Sequence, residues 1–451
     1  MKTKILFTFG PSCSSPRMLN KLAALAHGIR INTAHGTVRE HAKTIALIRK
    51  CCDLPIVLDI KGPELRAHIQ TPLKLSPNSV FTLSFSGPNS FSHDFSREAK
   101  KGDKILFEDG KLTAQIVGFG KGCARMRALN SHTLEGDKSA HIPKRKLAIP
   151  PLSQKDLEEI ALANRSGVEY IALSFTRTIH DISHLRTKLN PETGIIAKIE
   201  NSQGLENIDS IISSSDGVMV ARGDLALDIG QEKVPLAQKA IIRKCNNAGK
   251  LSITATQVLE TMIVNPYPTR AEISDIANAI LDGSDCVMLS GETAIGKYPD
   301  KAVSTIRSVA KEVESSVRSN VNMASYESVS DAISKSIFTM AGIMPLDSIV
   351  SITRSGYTAK MLSRFRMKDR LIALTPFPKV KRQLSLYFGV EPVLIKEIPS
   401  AHIIRTAARH LLSKGLMKKS DTSLFTAGIL TRQKHASNLI EIHKIGELLT
   451  V

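Results

Sequence analysis

The chain has 451 residues, 42% of them hydrophobic and 23% charged, and 61 Lys and Arg against 42 Asp and Glu leave a formal charge of +19. This is an ordinary soluble composition, long enough for roughly two to four domains, one of which can be a barrel of about 250 residues. No run of about 18 apolar residues occurs, and Gly10-Pro11 interrupts the apolar start, so neither a membrane span nor a signal core is expected.

In chain order, short β-rich apolar runs alternate with longer stretches of helical spacing. The runs are KILFTF (4–9), GIRINT (28–33), IVLDI (56–60), YIALSF (170–175), GIIAKIE (194–200), GVMVARGD (217–224), LSITAT (251–256) and CVMLS (286–290), with helices such as 205–214 and 235–249 between them. Near-continuous apolar strands covered on both sides are what a parallel (β/α)8 TIM barrel requires. The third and fourth runs lie about 110 residues apart, too far for one helical crossover, and the stretch between turns to Ser, Gly, Pro and alternating segments. It reads as an inserted small β-barrel lid domain, with Asp109-Gly110 as a hairpin turn. After a polar connector near 320, strands SIVSIT, LIALTP, EPVLI, SLFTAG and LIEIHKI alternate with helices again, giving a C-terminal α/β domain. The expected division is barrel 1–67, lid 68–147, barrel 148–320 and C-terminal domain 325–451.

Only 4% of residues are aromatic and Trp is absent, so burial rests on Leu, Ile, Val and Ala. The positive charge fits either a solvated basic surface or a field for small anions. Basic residues are spread along the chain without an aromatic-interleaved stripe, which argues against nucleic acid as a partner. Six scattered cysteines without a CxxC pair argue against a zinc site or a disulfide scaffold, and a cytoplasmic location fits best.

In such a barrel the chemistry lies at the C-terminal strand ends. Those ends carry Arg30 and Asn32, Asp59, Ser174, Lys198 and Glu200, Arg222 and Asp224, Thr256, and Ser290 followed by Glu292. Glu200 and Asp224 can hold a hard divalent cation between them, while Lys198 and Arg30 neutralise charge on a transferring phosphoryl group. Gly223 lets the backbone approach an anion closely. Any one strand-end charge can instead be capped or solvated, but seven of eight strands supply such groups at the same end. In the C-terminal unit Ser351, Thr353, Ser355, Gly356 and Thr358 follow a strand and precede a helix, as either a phosphate nest or an N-cap cluster.

These residues make the sequence resemble the pyruvate kinase family. The resemblance rests on KILFTFGPSCSS (4–15), IRINTAHG (29–36), LDIKGPELR (58–66), ALSFTR (172–177), AKIENSQGLENID (197–209), DGVMVARGDLALDI (216–229), the long run from ITATQVLE to GKYP (253–299) and TRSGYTAKMLSRFR (353–366). It implies transfer of the phosphoryl group of phosphoenolpyruvate to ADP, giving pyruvate and ATP in glycolysis. By the same resemblance Glu200 and Asp224 hold Mg2+ (or Mn2+), and Lys198 stabilises the transferring group. Arg30, Gly223, Asp224 and Thr256 bind phosphoenolpyruvate, with Thr256 and Ser290 near the water chain that protonates the enolate. Asn32, His35, Arg66 and, from the lid, Lys138 meet the nucleotide.

The family's K+ site maps onto Asn32, Ala34, Asp59 and the carbonyl of Ile60, and departs at Ala34, where a Ser hydroxyl is usual. Glu64 of KGPE, replaced by lysine in relatives that dispense with K+, is kept. K+ is therefore expected to activate with weakened affinity. His141-Ile142-Pro143 replaces a common Asn-Leu-Pro in a lid shorter than usual. The resemblance further implies a homotetramer and a sugar-phosphate effector at Thr353, Ser355, Gly356 and Thr358. The other readings are a catalytically impaired regulatory paralogue, suggested by Ala34, Ile60 and the short lid, and a metal-dependent barrel lyase or aldolase, which would have no use for ADP.

Overall fold

A computed structural model describes residues 1–324, 328–397, 402–428 and 437–450. Strands β1 (Lys4–Thr8), β2 (Gly28–Asn32) and β3 (Ile56–Ile60) begin a parallel barrel. The chain then leaves it for β4 (Arg66–Leu75), β5 (Val80–Ser84), β6 (Asn89–Phe91), β7 (Lys104–Phe107), β8 (Leu112–Gly120), β9 (Cys123–Ala128) and β10 (His132–His141). The barrel resumes with β11 (Tyr170–Leu173), β12 (Gly194–Ile199), β13 (Gly217–Ala221), β14 (Leu251–Ala255) and β15 (Cys286–Leu289), and closes in the order β1-β15-β14-β13-β12-β11-β3-β2. Every residue of these eight strands is buried except Asn32. Helices cover the outside and layered side chains fill the inside, which is why the strands read as unbroken apolar runs.

The insert closes into its own barrel in the order β10-β4-β6-β5-β9-β8-β7. Here burial alternates along a strand, as in Leu112–Gly120, because one face meets the core and the other water. Its core concentrates aromatic side chains: Phe91 and Phe95 meet edge to face at 4.8 Å, and Phe85 and Phe95 at 5.3 Å. Phe107 pairs with Leu112 across the Asp109-Gly110 turn, where Glu108, Asp109 and Gly110 all take positive φ.

The C-terminal sheet contains β16 (Ser348–Ile352), β17 (Arg370–Thr375), β18 (Val390–Leu394), β19 (Thr422–Ala427) and β20 (Leu439–Lys444), in the order β18-β17-β16-β19-β20 with β20 antiparallel. It seals the N-terminal end of the barrel. One apolar cluster runs from Leu6, Ile196 and Met288 inside the barrel to Ile349, Leu371 and Leu424 of the sheet. The buried Arg366 guanidinium pins the junction, its Nη2 donating to the Gly283 carbonyl at 2.7 Å and to Asn246 at 2.6 Å. The opposite, C-terminal end of the barrel is left to the lid.

Two expectations need correction. The sixth run stops as a strand at Ala221, and Arg222–Ile229 is a helix, so Arg222, Gly223 and Asp224 lie in a helical first turn rather than on a strand. The single helix expected over 205–214 is two, Ser202–Glu206 and Ile208–Ser214, meeting at Asn207 with non-helical φ and ψ of −97° and 15°.

Candidate active site

Strands β2, β3 and β12 bring Arg30, Asp59, Lys198 and Glu200 together at the barrel mouth. Lys198 Nζ lies 3.2 Å from Asp59 Oδ1, 3.0 Å from Glu200 Oε1 and 2.7 Å from Ser174 Oγ. Arg30 Nε donates to Asp59 Oδ2 at 2.7 Å, and its Nη1 to Thr8 Oγ1 at 3.2 Å. All four charged side chains are buried, and each is partnered. Burial pushes the Asp59 carboxyl up, but the Lys198 and Arg30 charges outweigh it and leave it lowered. For Lys198 burial favours the neutral amine, and Asp59 and Glu200 more than offset that, so the ammonium is held. Glu200 is raised, by burial first. Its Oε2 accepts from the Phe175 N–H at 2.5 Å, across a turn where Phe175 takes a φ of 51°.

The helix Arg222–Ile229 and the turn after β14 supply the other half. Thr256 and Gln257 both take positive φ, 65° and 51°, which costs of order 1–3 kcal/mol each in a non-glycine residue. The buried Arg222 guanidinium holds this turn. Its Nε and Nη2 donate to the Thr256 carbonyl at 3.1 and 2.7 Å, Nη2 also to the Gln257 carbonyl at 2.9 Å, and Nη1 to Asp275 at 2.6 Å. Thr256 Oγ1 then accepts from the Gly223 N–H at 3.0 Å. A Cβ on Gly223 would meet nothing closer than that same oxygen, at 3.8 Å, so the backbone is open to the cleft. Asp224 accepts no hydrogen bond among the described residues. Burial, then the charge of Glu200, raises its carboxyl to about 7. Ser290 Oγ is buried without a hydrogen-bond partner among the described residues.

The remaining predicted residues border this centre. Asn32 Oδ1 accepts from the Ala34 N–H at 3.1 Å, and the Ile60 carbonyl from the Ser174 N–H at 3.1 Å. Of the nearby threonines, Thr33 Oγ1 donates to the Asp59 carbonyl at 2.9 Å, and Thr37 caps its helix with Glu40. His35 is exposed on the loop before that helix. Arg66 pairs with Glu64 at 2.9 Å and donates to the Asp137 carbonyl of the lid at 3.1 Å. Lys138 is tied to Glu108 at 2.7 Å, whereas its neighbours Ser139 and His141 face the cleft between lid and barrel. At the other end of the molecule, Thr353, Ser355 and Thr358 line a cleft of about 960 Å³ between the C-terminal domain and the barrel base. Thr353 Oγ1 accepts from the Gly356 N–H at 2.9 Å, and Gly356 takes a φ of 80°.

Sequence reasoning passed over the lid's attachment. Asp228, on the same helix as Asp224, accepts from the Lys144 N–H at 2.7 Å and the Ser202 N–H at 2.5 Å, and lies 2.9 Å from His141 Nε2. Burial opposes its ionisation, but these contacts hold its carboxyl well below the usual range. The signal was the departure at His141, which gains meaning only beside Asp228.

Cations and two adjacent carboxylates at a barrel mouth, under a lid, are the equipment of a (β/α)8-barrel phosphotransferase. Comparison with known proteins makes this specific. The family descriptions "Pyruvate kinase, barrel domain" and "Pyruvate kinase, alpha/beta domain" match residues 1–303 and 331–443. The chain is 38% identical to a pyruvate kinase of Sporosarcina psychrophila and 37% to one of Geobacillus stearothermophilus, in each case over 99% of this chain and 81% of the relative. A crystal structure of a pyruvate kinase from Cryptosporidium parvum superposes with a TM-score of 0.90 at 34% identity, covering 98% of this chain and 96% of the other. The chain belongs to the pyruvate kinase family.

Proposed function

We propose that this site moves the phosphoryl group of phosphoenolpyruvate to ADP, with Lys198 as the group that meets it in flight. The observation that carries this reading is the Lys198 ammonium, kept charged within 3.2 Å of Asp59 and 3.0 Å of Glu200 at the cleft floor. An ammonium locked in place before the substrate arrives needs no reorganisation when negative charge gathers on the phosphoryl oxygens. Arg30, anchored by Asp59, offers its remaining N–H groups to the same anion. The first turn of Arg222–Ile229 presents the Asp224 N–H, with the helix dipole behind it, and the open backbone face of Gly223, whose own N–H is held by Thr256 Oγ1, to the substrate carboxylate. Thr256 and the Ser290 hydroxyl, unpartnered among the described residues, would guide the water that delivers a proton to the enolate.

Glu200 and Asp224 fit a hard divalent cation such as Mg2+ or Mn2+. They offer carboxylate oxygens, and burial together with the Glu200 charge, which raise Asp224, are what a bound cation offsets. When bound, the ion supplies Lewis-acid polarisation of the substrate oxygens. On the nucleotide side Asn32, His35, Arg66 and Lys138 would receive ADP, and the lid over the barrel mouth would exclude water from the transferring group. Pyruvate formation tests the reading: turnover needs both ADP and Mg2+, and pyruvate released without ADP overturns it.

K+ finds an incomplete set in Asn32, Asp59 and the Ile60 carbonyl. The Asn32 Oδ1 and the Ile60 carbonyl each accept one hydrogen bond and keep a further lone pair, the Asp59 carboxylate is already shared among Ser174, Lys198 and Arg30, and Ala34 supplies no side-chain oxygen. The phosphate-sized loop at Thr353–Thr358, with Lys360 nearby, supports a sugar-phosphate effector. A sugar bisphosphate that changes neither the substrate saturation curve nor the melting temperature would leave that loop a structural cap. Homotetramer assembly and a cytoplasmic setting complete the reading. Among the described residues no helix is long and apolar enough to cross a membrane.

A further inference from the structure

The loop 33–37, which carries His35, is held from below by a histidine the reaction scheme does not use. His41 is buried near the start of helix Val38–Cys51, with both ring nitrogens against oxygen atoms. Nδ1 lies 2.7 Å from Glu159 Oε1, and Nε2 lies 2.8 Å from the His35 carbonyl oxygen. A carbonyl only accepts, and so does an ionised carboxylate, so both contacts are satisfied only when the His41–Glu159 pair carries two protons. A neutral imidazole beside an ionised Glu159 leaves one contact unmade. Glu159 is fully buried and its other oxygen has no partner, so the charge it brings is answered by this ring alone among the described residues.

The backbone passes directly over the ring. Gly36 takes a φ of 81°, and a Cβ there would sit 3.2 Å from His41 Nε2 and 3.2 Å from Glu40 Oε2. Glu159 and Lys155 face His41 from helix Gln154–Ser166, with Lys155 Nζ donating to the Gly36 carbonyl at 3.0 Å, and Glu40 faces it from its own helix. Burial and Lys155 favour the neutral ring. Glu159 and the His35 carbonyl favour the charged one and prevail, so His41 titrates above its ordinary value.

We propose that His41 is a positioning residue for the nucleotide: doubly protonated, it ties the His35 backbone to helix Gln154–Ser166 and so fixes where the nucleotide-facing loop stands. This rests on reading His35 as a nucleotide contact. When the pair loses its second proton, the His35 carbonyl loses its donor and the loop one of its ties to helix Gln154–Ser166, the Lys155 contact to Gly36 remaining, whereas Arg30, Lys198 and the phosphoenolpyruvate side are untouched. The effect therefore belongs to one substrate and one pH direction.

Steady-state kinetics of the full-length protein between pH 6.5 and 9, for wild type, His41→Gln and Glu159→Gln, test this. The KM for ADP of wild type rises with pH while that for phosphoenolpyruvate does not follow. His41→Gln raises the KM for ADP about five- to tenfold at pH 6.5, the worth of one lost hydrogen bond, and removes the dependence on pH. Glu159→Gln keeps the imidazole but removes its counter-charge, and moves the rise to lower pH. It decides the matter if His41→Gln does not fold. The titration of ADP itself is common to all three proteins and cancels in the comparison. Unchanged KM for ADP and pH profile in the variants, or equal rises for both substrates, would overturn the proposal. His35→Ala separates the two readings: no effect on the KM for ADP removes the nucleotide role of the loop, and a rise there beside an inert His41→Gln removes only the role of His41.

Discussion

On the Lys198 side of the cleft every charge has a partner: Arg30 and Lys198 share Asp59, and Lys198 reaches Glu200. On the Asp224 side the carboxylate accepts no bond among the described residues, Ser290 Oγ is orphaned, and the chain runs through two consecutive left-handed residues, Thr256 and Gln257. The first half is fixed by side chains standing on straight strands. The second is fixed by bent backbone whose Thr256 and Gln257 carbonyls the Arg222 guanidinium holds. Preorganised charge suits the group in flight, while open donors and acceptors suit a metal and a carboxylate that must come and go.

The largest expected effect lies on the ion-paired side. Lys198→Met removes the cation and leaves Asp59 and Glu200 facing one another, and kcat for pyruvate formation should fall on the order of 10³-fold or more. A loss under tenfold would mean that another cation meets the phosphoryl group. Next comes Arg222→Lys on the strained side. A lysine ammonium cannot reach the Thr256 carbonyl, the Gln257 carbonyl and Asp275 at once, so the turn relaxes and Thr256 moves from Gly223. Because small misplacements are costly in a site of this kind, kcat should drop about tenfold to a hundredfold. If Arg222→Lys matches wild type, the strained turn is self-supporting and the contrast between the halves dissolves.

The same contrast explains what could be read beforehand. Each of the eight barrel strands stood out as an apolar run, because strands covered on both faces cannot afford polar residues, and Arg30, Asp59 and Lys198 stood out as exceptions within them. The sixth run is shorter than its pattern: ValAlaArgGlyAsp continues the β-like alternation to Asp224, yet the chain turns at Ala221, where φ and ψ are −92° and 89°. Nothing in one sequence announces that Thr256 or Phe175 takes positive φ, since neither is a residue type that favours it. Contacts made across more than a hundred residues, such as His41 with Glu159, leave no periodic trace at all.

A smaller effect should come from the lid's anchor. Asp228→Asn weakens acceptors for the Lys144 and Ser202 N–H groups and the contact to His141, at a cost of about 1–3 kcal/mol, or roughly 2–6 °C in melting temperature at pH 7. The wild-type carboxyl is depressed on folding, so its contribution is present above the ordinary carboxylate pKa of about 4 and is lost as pH falls below it. The variant and wild type should therefore converge in melting temperature on acidification from pH 7 to 3. A gap that stays constant would mean that Asp228 contributes through packing rather than charge.

The smallest effect tests the one family position at which the ion-paired side is incomplete. Ala34→Ser restores an oxygen beside Asn32 and Asp59 without disturbing Lys198, and the Ala34 N–H that now bonds Asn32 Oδ1 stays in place. If K+ binds there, the concentration of KCl giving half-maximal rate should fall about fivefold, the equivalent of one added ligand worth about 1 kcal/mol. The maximal rate should change little, since the cation's partners for the phosphoryl group are already assembled. A wild-type rate indifferent to KCl would instead mean that the Arg30 and Lys198 charges around Asp59 already do the work of the monovalent cation, and Ala34→Ser would then change nothing.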